Sequence, residues 1–305
     1  MNITVIGAGA VGGYFGGRLH ESGENVTFLV RERRLQQLDE KGLKINSVNG
    51  DTTIDNLQLE TDVAKISHCD LVLLSVKGYH LDGVIPQLEV LVQKGAKILP
   101  LLNGVEHYDV LAEKLGRDAV LGGLCFIITT LDHNGHILHT SKQHGMIFGP
   151  LVEEQKEVCE RFSERTKKAN FDDTYSVNIL KEIWKKYAYI VAYSGVTTAS
   201  RLEIGQIRSN EETLALYKES ADEMQQLAKA YGIDLGDDFG EKTAKQAFDL
   251  PEQATSSMHQ DFRKGLTLEV ESLQGGALRL AEKKGLDLPI VRTLYRLIKP
   301  YEQAN

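Results

Sequence analysis

At 305 residues the chain has room for about two domains of ordinary size. Thirty-five basic against 43 acidic residues leave a net charge of −8, which excludes a basic surface for a nucleic-acid backbone or an anionic membrane. With 42% apolar and 26% charged residues, the composition is that of a globular protein with a sizeable core.

The first half alternates short β-rich runs with helical patterns, as a doubly wound α/β sheet requires. Residues 3–6 read as a buried strand, 11–21 as a helix and 25–30 as a second strand. A hairpin over 43–57 turns at Asn49-Gly50, a dipeptide suited to a type I′ turn. Strands are expected at 70–75 and 96–102, each followed by a helix-like segment, and then at 120–130. A second hairpin around Asn134-Gly135, a strand at 144–148, a helix near 152–168 and a strand near 171–176 complete this half. Beyond it the pattern is helical alone, with a 3.6 period over 178–193, 210–231, 266–284 and 289–303. Gly232 and Gly285 stand where helices end, and Pro289 where one begins. The expected architecture is a Rossmann-like doubly wound domain over 1–176 followed by an all-α domain over 177–305.

Cys69, Cys125 and Cys159 form no CxxC pair, which suits a reducing cytoplasm and argues against a cysteine-built metal site. The longest mostly apolar stretch, 119–131, is shorter than the ~20 residues of a membrane span. The glycine pattern at residue 7, without a basic leader, argues against a signal peptide. His133, His136, His139 and His144 fall on a hairpin of alternating polar positions and read as solvated strand edges rather than metal ligands.

Gly7-Ala8-Gly9-Ala10-Val11-Gly12 is GxGxxG between the first strand and the first helix, the context in which it binds dinucleotides. Gly7 allows the tight turn, Gly9 a close approach of backbone to pyrophosphate, and Gly12 close packing of helix on strand. The helix N-terminus offers unpaired N–H groups to a phosphate. The second strand ends in Arg31, with Arg33 and Arg34 beyond; guanidiniums there suit the 2′-phosphate of NADP. Glu32 is the complication, since an acid at this point serves the ribose of NAD. A solvated helix start is the alternative for the three arginines. Lys77 and Asn103 mark the carboxyl ends of later strands, where open sheets bind ligands, and either also fits a loop or cap.

On the helix from 178, Lys186 lies about 20° from the line of Ile179 and about 40° from Ile190, at the edge of the inward face. Lys181 and Lys185 fall on the opposite side, toward water. Lys186 is either one half of an exposed pair with Glu182 or a partly desolvated ammonium able to polarise a carbonyl. Glu269 falls beside an apolar stripe of Leu266, Val270, Leu273, Ala277 and Leu280, whereas Glu271 and Glu282 point away. Gly276 leaves space there for a backbone or a ligand. Ser257 fits a capping box with Gln260.

Together these residues resemble the ketopantoate reductase family (2-dehydropantoate 2-reductases) over essentially the whole chain. The resemblance rests on the glycine run 7–13, Leu29-Val30-Arg31, Ser75-Val76-Lys77, Leu102-Asn103-Gly104, residues 182–186, residues 255–261 and Glu269. It implies that Lys186 acts on the substrate carbonyl, and that Asn103 contacts the cofactor and the reaction centre. It further implies that Arg31 reads the NADP phosphate, that Lys77 assists binding, and that Ser257 and Glu269 serve the substrate and the cofactor–lysine region. Where the family often carries asparagines one and two turns after the lysine, this chain has Ile190 and Ser194. Serine can still pair with a substrate; isoleucine cannot.

The implied function is NADPH-dependent reduction of 2-dehydropantoate to (R)-pantoate, in pantothenate and coenzyme A biosynthesis. Two alternatives stand beside it: a related D-2-hydroxyacid dehydrogenase acting on an apolar 2-keto acid, and a non-catalytic NADP-binding sensor. The expected setting is the cytoplasm, with no nucleic-acid or membrane partner. The expected assembly admits a homodimer, and hinge motion is expected near 177.

Overall fold

The computed structural model describes residues 1–303. It has the expected α/β architecture with a helical second half. The chain divides into two compact units, one of Met1–Leu102 with His107–Ile179, the other of Asn103–Glu106 with the chain from Leu180 onward.

In the first unit the elements run β1 (Asn2–Ile6), α1 (Ala10–Glu21), β2 (Asn25–Leu29), α2 (Glu32–Lys41), β3 (Leu43–Ser47), β4 (Thr52–Ile54), β5 (Gln58–Glu60), β6 (Leu71–Leu74), α3 (Ile85–Gln93), β7 (Lys97–Pro100) and α4 (Glu106–Leu115, its first residue clustering with the other unit). β8 (Gly122–Leu131), β9 (Ile137–Gly149), α5 (Lys156–Thr166) and β10 (Asp172–Tyr175) follow. A parallel sheet has the order β5-β2-β1-β6-β7. Its central strands are near-continuous apolar runs because both faces are covered; all of β6 is buried. The chain reverses between β1 and β6, and such a switch point is where doubly wound sheets bind ligands.

A second sheet has the order β10-β9-β3-β4, with β8 antiparallel to β9. β3 pairs antiparallel with β4, as the hairpin reading requires. Its turn is not type I′, because Gly50 takes a positive φ of 107° and Asn49 does not. Helix α1 lies against both sheets, and its glycines make this possible. A Cβ at Gly16 would stand 2.7 Å from Val5 of the first sheet, and one at Gly17 2.9 Å from Leu43 and Ile45 of the second. The low helix propensity of glycine is offset by that packing.

His139 and His144 are only 2% and 8% exposed, which corrects their reading as solvated strand edges. The Tyr14 hydroxyl pairs with His144 Nδ1 at 2.8 Å, and Ser47 Oγ with His139 Nδ1 at 2.8 Å. Burial lowers the pKa of both rings. The polar alternation is present, but Tyr14 of α1 covers the face that carries these two rings.

The second unit contains α6 (Ile179–Ser200, its first residue clustering with the first unit), α7 (Ile204–Arg208), α8 (Glu211–Ala230), α9 (Phe239–Gln246), α10 (Ser257–Arg263), a π-helical turn (Glu271–Gly275), α11 (Gly276–Lys283) and α12 (Pro289–Ile298). Helix α6 runs seven residues past its expected end at 193, because Val191–Thr198 is buried all round. The hydroxyls of Ser194, Thr197 and Ser200 bond back to carbonyls four residues earlier. Asn210 caps α8, its side chain accepting the Thr213 amide at 3.1 Å. Buried Glu223 accepts the Ile290 and Val291 amides, each at 2.8 Å, where its charge meets the positive end of α12. No described helix is long and apolar enough to cross a membrane.

Candidate active site

In the first unit, Gly7 turns with φ 93°, and a Cβ there would lie 2.7 Å from the Ser75 carbonyl carbon. The ends of β1 and β6 are therefore in backbone contact, and only glycine fits. A Cβ at Gly9 meets nothing within 4 Å, so the loop is open at that point. Gly9 precedes α1 without any side-chain cap, leaving the amides of Ala10, Val11 and Gly12 in the helix's first turn.

Arg31 is exposed at the N-cap of α2, and its charge adds to burial in lowering the pKa of His80. Glu32 and Arg33 are exposed as well. Arg34 is different. Its Nε donates to the Ala8 carbonyl at 3.1 Å and its Nη1 to Gly135 O at 3.0 Å, while its buried Nη2 has no partner. Lys77 is half-buried just beyond β6, and the buried hydroxyl of neighbouring Ser75 has no hydrogen-bond partner. An open glycine cradle, uncapped helix amides, an orphaned guanidinium nitrogen and an orphaned hydroxyl suit a dinucleotide with its anionic phosphates.

The second unit holds Asn103, Lys186, Ile190, Ser194, Ser257 and Glu269. Lys186 is half-buried on α6 and Lys185 exposed, as the helix-face count predicts; Lys181 is intermediate rather than fully exposed. The next residue, Tyr187, is buried and donates to the Leu273 carbonyl at 2.8 Å, fixing this turn of α6 against the π-helical turn. Ile190 is half-buried one turn on.

Ser194 does not fit its expected substrate role. It is 0% exposed, donates to Ile190 O at 2.5 Å and accepts from Gln274 Nε2 at 3.1 Å. Its hydroxyl is committed to helix packing.

Ser256, not Ser257, caps α10. Its Oγ accepts the His259 amide at 3.1 Å and pairs with Thr197 Oγ1 at 2.8 Å. Ser257 becomes the first helical residue, exposed and relieved of the capping duty. Adjacent serines both satisfy the capping pattern, and the sequence alone does not separate them.

Glu269 is 5% exposed. It does not lie on a helix starting at 266: Leu266 is 49% exposed and outside the stripe, and helical structure begins with the π-turn. The Glu269 carbonyl accepts the Leu273 amide at 3.0 Å, opening that turn. The space expected at Gly276 is filled by protein, since a Cβ there would lie 2.8 Å from Glu106 Oε2 and 3.1 Å from the Tyr187 hydroxyl. Sequence reasoning missed Glu106, Tyr187 and Gln274. Glu106 stands three residues after Asn103 and was within sight; the contacts of the other two depend on tertiary packing.

Residues 3–153 match the family "Ketopantoate reductase PanE/ApbA", and residues 178–302 match its C-terminal counterpart. The chain is 33% identical over 302 residues to YkpB of Bacillus subtilis, named an uncharacterized oxidoreductase, with 99% of each chain covered. It is also similar to the crystal structure of a 2-dehydropantoate 2-reductase from Geobacter metallireducens (TM-score 0.91, 25% identity, 98% of this chain and 99% of that one). D-mandelate dehydrogenase, solved with NADH and anilino(oxo)acetate, shares the fold at a TM-score of 0.88 and 20% identity, over 99% of this chain and 98% of that one. With both halves matched, the chain belongs to the ketopantoate reductase family of oxidoreductases.

Proposed function

We propose that the protein reduces a 2-keto acid at the expense of NADPH, with 2-dehydropantoate, giving (R)-pantoate for pantothenate and coenzyme A synthesis, as the leading substrate. The observation that carries this reading is the grouping of Asn103 with Lys186, Ser257 and Glu269 in one compact unit, although Asn103 is more than 80 residues away in sequence. The cofactor, when bound, supplies a hydride to the keto carbon. Gly7, Ala8, Gly9, Ala10, Val11 and Gly12 would hold its pyrophosphate, Arg31 its 2′-phosphate, and Lys77 would assist. The Lys186 ammonium polarises the keto oxygen and passes it a proton from Nζ, leaving a neutral amine. Asn103 fixes the reacting end, Ser257 binds the substrate, and Glu269 keeps Lys186 charged and oriented.

A second reading is favoured by one stretch of α6. Ile190 has no polar atom, and the Ser194 hydroxyl is spent on Ile190 O and Gln274. Both positions after the lysine thus lack a free partner for a substrate hydroxyl, which suits a D-2-hydroxyacid dehydrogenase acting on an apolar 2-keto acid. Cofactor oxidation followed with a panel of 2-keto acids and both NADPH and NADH separates the readings. Turnover of 2-dehydropantoate above the apolar acids supports the first, the reverse order the second, and no turnover with any acid leaves a cofactor-binding sensor. The proposed setting is the cytoplasm and the proposed assembly a homodimer, the latter checked by sedimentation velocity.

A further inference from the structure

The turn bearing Asn103 is held by an ion-pair network that uses none of the residues assigned above. Arg279 on α11 grips Glu106 with two bonds, Nε to Oε1 at 3.2 Å and Nη2 to Oε2 at 2.7 Å. The same guanidinium reaches the π-turn, with Nη1 on Glu271 Oε2 at 2.9 Å and Nη2 on the Glu271 carbonyl at 2.8 Å. Glu271 also accepts the Tyr295 hydroxyl at 2.5 Å and the Lys299 ammonium. Burial raises the pKa of this carboxyl, but the three donors outweigh it and hold it at about 2, so Glu271 stays charged across the neutral range.

The fit is close on both sides. Gly104 takes a φ of 94°, and a Cβ there would lie 2.9 Å from the Ser272 carbonyl. The π-turn is pinned on its other side to α6, by Tyr187 on the Leu273 carbonyl and by Gln274 Nε2 on the Val191 carbonyl, each at 2.8 Å. One irregular turn therefore touches the Lys186 helix, begins two residues after Glu269 and receives the Asn103 loop. Local π geometry is frequent at functional sites.

We propose that Glu106 and Arg279 are positioning residues for the reaction, fastening the Asn103 turn to the π-turn that follows Glu269. The proposal rests on the reading of Asn103 as a reaction-centre residue. Because Arg279 is about half exposed, its pairs add little to global stability, and their loss is expected to act on placement instead. A displacement of about 1 Å at a reacting group can cost ~10²-fold in rate.

Two measurements test it. In the unliganded protein, Arg279→Met is expected to speed hydrogen exchange at the Leu273 and Gly275 amides, with the melting temperature nearly unchanged; unaltered exchange there overturns the clamp. In kinetics with NADPH and the best 2-keto acid, Glu106→Ala is expected to lower kcat about tenfold while the KM for NADPH holds within about twofold. In an Asn103→Ala background the same change is expected to cost nothing further. An equal loss in both backgrounds means that Glu106 does not act through Asn103, and overturns the proposal. If the unmodified protein turns over no 2-keto acid, the functional reading fails, and the exchange result still judges the clamp.

Discussion

In the α/β unit, the groups offered to a ligand are largely backbone atoms, and the absence of side chains sets them. Gly7 abuts Ser75 and Gly9 opens on empty space. In the helical unit the groups proposed to meet the substrate are side-chain termini: the Lys186 ammonium, the Asn103 amide, the Ser257 hydroxyl and the Glu269 carboxylate. Their placement depends on other side chains, among them Tyr187, Gln274, Ser256 and Arg279. Binding that rests on backbone shape tolerates little substitution, whereas chemistry that rests on a network can be tuned one residue at a time.

The largest effect expected from this contrast is at Lys186. Lys186→Ala should cost ~10²–10⁴ in kcat with NADPH still bound, because it removes the proposed proton donor and leaves the cradle intact. Lys185→Ala, on the exposed side, should change little. Like losses in the two variants would break the helix-face assignment. Gly7→Ala should do the opposite, weakening NADPH binding on the order of 10²-fold while bound enzyme still turns over. The new methyl meets backbone rather than a movable side chain. Titration of cofactor fluorescence reads this directly, and unchanged affinity would show that the cradle yields.

A smaller shift is expected at the rim of the cradle. Arg31→Glu should weaken NADPH about tenfold or more relative to NADH, since it sets a like charge against the 2′-phosphate. Equal losses would move the phosphate role to Arg34, whose Nη2 is buried without a partner. At the substrate, Ile190→Asn should shift kcat/KM severalfold to about tenfold toward 2-dehydropantoate over 2-ketoisovalerate, the scale of one hydrogen bond. An unchanged ratio in an active variant would mean that residue 190 does not touch the discriminating group.

Acid should affect both units, and least steeply of all. Burial lowers the pKa of His139 and His144 in the first and, to about 4, of His259 in the second. Folding therefore favours the neutral rings; this stability is complete above the unfolded value near 6.5 and is lost as pH falls from there toward 4. Melting temperatures from pH 8 to 5 should decline accordingly. His259→Asn, which keeps a polar atom near the Nδ1 position facing Thr255, should flatten the slope. A slope that does not change would exclude His259 as a contributor.

Much of this was legible in the sequence where a feature is local. Four of the five strands of the parallel sheet, the GxGxxG turn and the side of α6 that carries Lys186 follow from periodicity and turn chemistry, whereas the short edge strand β5 does not. What could not be read is what depends on a distant partner. His139 and His144 alternate as a surface strand should, and only the arrival of α1 buries them. Ser194 looks available until α6 proves to be enclosed. The stretch 266–284 fits a 3.6 period closely enough to hide its late start and its π-turn, so Glu269 was set on a helix it precedes.

The two sheets also differ in when they can be completed during synthesis. The parallel sheet draws on strands that end at Pro100, whereas β3 waits for β9, pairing Ile45 with Ile137 across 137 − 45 = 92 residues. Until β9 emerges from the ribosome, Leu43, Ile45 and Ile54 lack the partner strand that helps to bury them. Such late closure slows folding and leaves apolar surface open to aggregation or chaperone capture. Because the ribosome covers roughly the last 35 residues, nascent chains halted at about residue 140 should bind chaperone more strongly than chains halted at about residue 215, where β8, β9 and β10 have all emerged and the second sheet can close.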